Sequence, residues 1–150
     1  FGIGPLEMVT ADEWDLYMAI NVKAPFLLSK LMIKNLPFNE NGKIINLNDW
    51  HKARAKRLAY GVSKAALSGL TRSLAMATAP LVQVNELALG AILSPVDRVD
   101  SVAGEDLDTS LGPAERMGSL NEVANATLGL ITNDFITGET IHIDGGRHIR

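Results

Sequence analysis

Residues 43–89 read KIINLNDWHKARAKRLAYGVSKAALSGLTRSLAMATAPLVQVNELAL. Two short apolar runs, KIINLN (43–48) and LVQVNELAL (81–89), flank a segment with helical spacing. The first run carries β-branched residues and little polar alternation, so it predicts a strand buried on both faces. Between the runs, Leu67, Leu70, Leu74 and Ala77 fall on one stripe of a helix predicted over about Ala59 to Ala79, and Pro80 closes it. Strand, helix, strand in that order implies a crossover and parallel pairing.

Upstream, Thr10 with Glu13 three residues later forms a capping-box signature. The run from Ala11 to about Leu36 then reads as helical, with one defect. Pro25 has no N–H to give the carbonyl four residues back, that of Asn21, so a kink or two end-to-end helices is expected, with the Asn21 carbonyl left free. PFNENG (37–42) reads as a turn. Downstream, 91–118 shows little periodicity and reads as a long loop, a kind that is commonly functional or mobile. Ser119 and Glu122 form a second capping box, opening a helix to about Thr132, and ETIHID (139–144) is a last strand. The sum is an α/β chain with about three parallel strands and flanking helices. A sheet that thin leaves a long apolar edge, which hints at a missing half.

The chain has 150 residues, enough for one domain. Its 47% hydrophobic and 21% charged residues suit a globular protein rather than a disordered one. The net charge of −3 argues against a general nucleic-acid binder. No apolar run approaches the roughly 20 residues that span a bilayer, so no membrane partner is expected. The opening FGIGPLEMVT has neither the basic start nor the apolar core of a signal peptide. With no cysteine, disulfides and thiolate metal sites are excluded, and no metal site is expected. These totals favour a cytoplasmic protein.

Tyr60 and Lys64 stand at i and i+4, so they share one helix face. Spacing alone suits an ordinary solvated face as well. The chemical reading is sharper: a nearby ammonium favours the phenolate, and a phenol so tuned is a competent general acid or base. The pair also follows a strand and a loop, near the carboxyl ends of parallel strands, where open α/β sheets place ligands. The loop HKARAKR (51–57) carries five basic residues. They suit a solvated loop, and they also suit attraction of an anionic substrate or a cofactor's phosphates.

Taken together, KIINLND, AYGVSKAALSGLTRSLA, QVNELALGAILSP and ITGETIHIDGG resemble the short-chain dehydrogenase/reductase family, in the family's order and over almost the whole chain. The closing DGGRHIR and the aspartate after NLN look most like pteridine-reductase and dihydromonapterin-reductase-type members. The resemblance implies a Rossmann-type, doubly wound parallel sheet, present as its C-terminal half only. Residues 1–150 are then the catalytic portion, and the N-terminal dinucleotide-binding half, with its glycine-rich turn, is absent.

The same resemblance implies an NADP(H)- or NAD(H)-dependent reductase that reduces a C=N or C=O bond, and a homodimer or homotetramer in the complete protein. Tyr60 matches the proton donor, and Lys64 matches the lysine that tunes it and holds the nicotinamide ribose. Asn21 matches the asparagine whose main-chain carbonyl holds a water leading to the lysine. Gly90, Ile92 and Ser94 match positions beside the cofactor.

Asp49 departs from the serine that most members carry. A carboxylate there suits a pterin, rich in N–H donors, better than a simple ketone, and it also suits a plain cap of the loop. The gap between Asp49 and Tyr60 is shorter than in the family, which could move Asp49 away from the phenol. A ketone or 3-oxoacyl thioester is the alternative substrate. A non-catalytic fragment that associates through its helices is the alternative of another class. Val96 to Gly118, with Met117, is expected to cover the substrate. The Asp144–Arg147 corner is expected to serve packing and subunit contact, and His148 to be simply exposed.

Overall fold

The computed structural model describes residues 4–50, 53, 55–92 and 111–149. β1 (Gly42–Asp49) and β2 (Val82–Leu89) pair in parallel along their full length, from Gly42 opposite Val82 to Asp49 opposite Leu89. β3 (Thr140–Ile143) adds in parallel to the other side of β2, with Glu86 opposite Thr140. The sheet order is therefore β1–β2–β3. This is the α/β, parallel, three-stranded arrangement expected from the sequence. The ends of β1 and β2 that carry Asp49 and Gly90 point the same way and lie at one rim of the sheet.

Before the sheet lie α1 (Ala11–Met18) and α2 (Ala24–Lys34), and α3 (Leu58–Thr78) links β1 to β2. Between β2 and β3 lies α4 (Leu120–Thr132). Thr10 Oγ1 accepts from the Glu13 N–H at 3.1 Å, as the cap requires. Ser119 and Glu122 form the complete reciprocal box at the start of α4. One part of the core unites Ala75, Val82 and Val84 with Ile33, Leu36, Ile44 and Leu74. Full burial of a valine such as Val82 or Val84 is worth about 1.5–3 kcal/mol.

Four expectations change. Pro25 does not split the helix: α1 and α2 are joined by a π-helical turn, Ala19–Lys23, in which the Ala24 N–H reaches back to the Ala19 carbonyl. The wider i→i+5 turn absorbs the missing donor without a break. As a result Ala11–Lys34 is one helical stretch of 24 residues, long and apolar enough by length and composition to cross a membrane, which corrects the expectation of no such run. One face of it packs on α3, while Leu16, Ile20, Leu27, Leu28 and Leu31 remain exposed.

β1 is not buried on both faces, because Leu47 is 56% exposed. In α3 the buried stripe includes Leu67 but runs through Ser63, Ser68, Thr71 and Ala75, and Ala77 is exposed. Of its polar members, Ser68 and Thr71 face a buried carboxylate, described below, and Ser63 bonds to Asn21 and to the Tyr60 carbonyl.

Candidate active site

Tyr60 sits in the first turn of α3 and Asp49 ends β1, so the loop between them brings the two together. The Tyr60 hydroxyl donates to Asp49 Oδ2 at 2.9 Å. The short loop thus keeps the carboxylate at the phenol rather than displacing it. One helical turn on, Lys64 Nζ lies 5.9 Å from the Tyr60 ring centroid and donates to the Leu47 carbonyl at 3.1 Å. Both polar ends therefore point to the same rim of the sheet.

The helix carrying the π turn buttresses this pair. Tyr17 meets Tyr60 edge to face, with ring centroids 5.8 Å apart. Asn21 Nδ2 donates to Ser63 Oγ at 3.0 Å, and Ser63 Oγ donates to the Tyr60 carbonyl at 2.7 Å. Asn21 therefore reaches the site through its side chain, while its main-chain carbonyl falls within the π turn. An open cleft of about 720 Å³ is lined by Tyr60, Lys64, Asn21 and Tyr17, with Asp12 and Glu13 among its other walls. Asp49 reaches the site through its bond to Tyr60.

Lys64 is half-buried, and loss of hydration pushes its pKa below the ordinary lysine value. The charges of Asp49 and, more weakly, Glu86 pull it back up. Among the described residues Leu47 O is its acceptor, and an ammonium has three N–H groups. The remaining donors suit a ligand's hydroxyls, so Tyr60 and Lys64 fit the ribose end of a nicotinamide nucleotide.

The other expected cofactor positions divide. Gly90 donates its N–H to the Ile143 carbonyl at 2.9 Å, and a Cβ there would lie 2.6 Å from Asp144 Cα. Packing alone thus requires glycine at 90. Ile92 packs its side chain against Gly118, whose N–H donates to the Ala91 carbonyl. Ser94 and residues 96–110 of the expected cover lie outside the described residues, as do His51, Lys52 and Arg54 of the basic loop.

The corner after β3 is more organised than expected. Gly145 and Gly146 both take positive φ, +63° and +81°. Asp144 accepts from the Gly146 N–H, the His148 N–H and His148 Nδ1. Burial alone would push Asp144 up, but those bonds outweigh it and hold it below the usual carboxylate range. His148 is exposed, as expected, and its ring also stacks on His142, with centroids 3.9 Å apart. The buried Arg147 guanidinium lies 4.5 Å from the Trp50 ring centroid, which ties this corner to the end of β1.

Residues the sequence reading missed are Tyr17, Asn48, Ser63, Ser68, Thr71 and Glu86. A signal for two of them was present: 60, 64, 68 and 71 are spaced four, four and three, which continues the Tyr60–Lys64 face down the helix.

The chain matches the family model described as enoyl-(acyl carrier protein) reductase over residues 2–148. It is 32% identical over 151 residues to the 3-oxoacyl-(acyl-carrier-protein) reductase of Buchnera aphidicola, covering 96% of this chain and 60% of that protein. It is 35% identical over 147 residues to the dihydromonapterin reductase of Escherichia coli, covering 93% of this chain and 59% of that one. The fold superposes on FolM alternative dihydrofolate reductase 1 from Brucella canis, crystallised with NADP, with a TM-score of 0.87 and 31% identity, covering 100% of this chain and 59% of that one. The chain thus spans about three fifths of the length of the relatives it matches. A match of this extent, with separated motifs in one order, assigns the chain to the short-chain dehydrogenase/reductase family.

Proposed function

We propose that this chain carries the catalytic residues of an NADP(H)-dependent reductase acting on a C=N or C=O bond, with a pterin as substrate. The observation that carries the reading is the hydrogen bond between Tyr60 and Asp49, with Lys64 one turn away. When bound, the nicotinamide nucleotide supplies the hydride. Tyr60 gives its phenolic proton to the substrate nitrogen or oxygen, so the reduced bond gains one hydrogen at each end. Lys64 stabilises the phenolate left behind and holds ribose hydroxyls. Asp49 accepts N–H groups of the pterin ring and orients it against the phenol. Gly90, Ile92 and Ser94 line the nicotinamide end in this reading, and Asn21 fixes the helix beside Lys64.

In the same reading the 150 residues are the C-terminal, catalytic part of a longer reductase that assembles as a dimer or tetramer. The exposed apolar face of α1 and α2 supports that assembly. A second reading, reduction of a 3-oxoacyl thioester or another ketone, draws on the similarity to the Buchnera aphidicola enzyme. The product of the full reading frame, assayed by NADPH oxidation on dihydropterins and on 3-oxoacyl thioesters, separates the two. Turnover of a dihydropterin is expected. Turnover of the thioester alone transfers the assignment to the second reading, and no turnover of either removes both.

A further inference from the structure

The most deeply buried acid among the described residues is Glu86, at the middle of β2, with 0% of its surface exposed. Asn48 Nδ2 of β1 donates to its Oε2 at 2.8 Å. Ser68 Oγ of α3 and Thr140 Oγ1 of β3 donate to its Oε1 at 2.7 and 2.8 Å. Thr71 stands 3.5 Å from Oε2, but its hydroxyl proton is better placed for the Leu67 carbonyl at 2.9 Å. One carboxylate thus joins all three strands to the helix that bears Tyr60 and Lys64. These partners are neutral donors, and donors directed at a carboxylate favour its charged form.

Asn48 passes that anchor on to the site. Its Oδ1 accepts from the Asp49 N–H at 2.8 Å, and its Nδ2 also reaches the Lys64 carbonyl at 3.0 Å and Ser68 Oγ at 2.9 Å. The residue on one side of Asn48 in this network is Glu86, and on the other are the backbones of Asp49 and Lys64.

We propose that Glu86 is a positioning residue for the active site: through Asn48 it fixes the backbones of Asp49 and Lys64, and its charge favours the ammonium of the half-buried Lys64. The inference rests on the reading of Lys64 as the charged partner of Tyr60. The other groups that face Lys64 are Asp49 from β1, Tyr60 from α3, and Asp12 and Glu13 across the cleft from α1. Asp49 alone cannot be relied on for Lys64, because a bound substrate would compete for that carboxylate. Glu86 lies beneath the sheet rim, where substrate does not reach. A desolvated ammonium otherwise tends to lose its proton, and burial acts on Lys64 in that direction.

The test is the titration of Lys64 by 13Cε NMR in the product of the full reading frame, with the resonance assigned by Lys64→Arg. Glu86→Gln keeps the shape and the Asn48 bond, and the Ser68 and Thr140 hydroxyls can turn to accept from the new amide. The Lys64 midpoint should fall below that of the wild type. Glu86→Asp, which keeps the charge, should bring it back toward the wild-type value. Should Glu86→Gln fail to fold, Glu86→Met with Ser68→Ala and Thr140→Val removes the charge and its two hydroxyl donors together, leaves Asn48 its bond to the Lys64 carbonyl, and is read the same way.

A midpoint unchanged in a folded, charge-free variant overturns the proposal and leaves Glu86 as a structural tie. The readout needs no turnover, so the two ideas fail separately. A moved midpoint in a protein that reduces no substrate upholds the coupling and sinks the reductase. Turnover with a fixed midpoint does the reverse.

Discussion

The Tyr60 hydroxyl donates to Asp49 Oδ2 at 2.9 Å, across the loop that joins β1 to α3. A phenol has one proton to give, and in this geometry Asp49 takes it. A substrate entering the cleft must either share that bond or replace it. A group that offers N–H donors to Asp49 and an acceptor to Tyr60 does both at once. Tyr60→Phe removes the proposed proton donor while keeping the edge-to-face contact with Tyr17. It should lower kcat by about a hundredfold to ten-thousandfold, the usual range for a positioned general acid, with the fold retained. Steady-state kinetics with circular dichroism on the same sample checks this. A variant within threefold of wild type would remove Tyr60 from the chemistry.

Asp49→Ser tests the choice of substrate. Serine can donate to a ketone oxygen, whereas the carboxylate can only accept. The ratio of kcat/KM on a dihydropterin to that on a 3-oxoacyl thioester should fall by at least about tenfold, corresponding to roughly 1.4 kcal/mol of differential transition-state binding. Equal loss on both substrates would mean that Asp49 serves the loop and not the ligand.

Much of this arrangement is legible in the sequence. The two apolar runs around one helical segment predict β1, α3 and β2, and the capping signatures at Thr10 and Ser119 mark the starts of α1 and α4. The i, i+4 spacing brings Tyr60 and Lys64 to one face. The same spacing carries that face on to Ser68 and Thr71, but it does not say that they are buried. An apolar stripe assigns Ser68 and Thr71 to solvent, yet both lie buried because Glu86 on β2 is buried opposite them. That pairing is a tertiary fact: nothing local to VQVNELAL says which face of the strand Glu86 occupies. The π turn escapes for a related reason. Pro25 shows where a hydrogen bond is lost, but packing on α3 decides whether the helix breaks or widens.

In the proposed mechanism Lys64 sets the alkaline limit of activity. Its pKa lies below the ordinary lysine value because burial outweighs the attraction of Asp49 and Glu86. As pH rises, the ammonium is lost earlier than in an exposed lysine, and with it the stabilisation of the Tyr60 phenolate. The plot of kcat/KM against pH should therefore fall on the alkaline side before pH 10.5, the reference lysine value. Lys64→Arg keeps a positive charge through this range, since guanidinium does not titrate there. If the variant retains turnover, the alkaline limb that reports Lys64 should move upward. A limb that stays in place would assign it to another group.

Asp144 governs how the closing corner responds to acid. The His148 ring, the His148 N–H and the Gly146 N–H hold its pKa below the unfolded value, against the upward push of burial. A carboxylate with a depressed folded pKa contributes stability above its unfolded pKa, near 3.8, and that contribution is lost as pH falls through the folded value. Asp144→Asn keeps the size of the side chain but removes the charge that draws these donors. At pH 7 it should destabilise the protein by about 1.5–3 kcal/mol, the range for hydrogen bonds to a charged group. The gap should narrow as both proteins are taken below pH 3.8, through the lowered pKa of folded wild-type Asp144. Urea unfolding followed by tryptophan fluorescence at the two pH values reads this difference, because Trp50 stacks beneath Arg147 of the same corner. A gap that is constant with pH would mean that the hydrogen bonds act through geometry alone and that the charge on Asp144 contributes nothing.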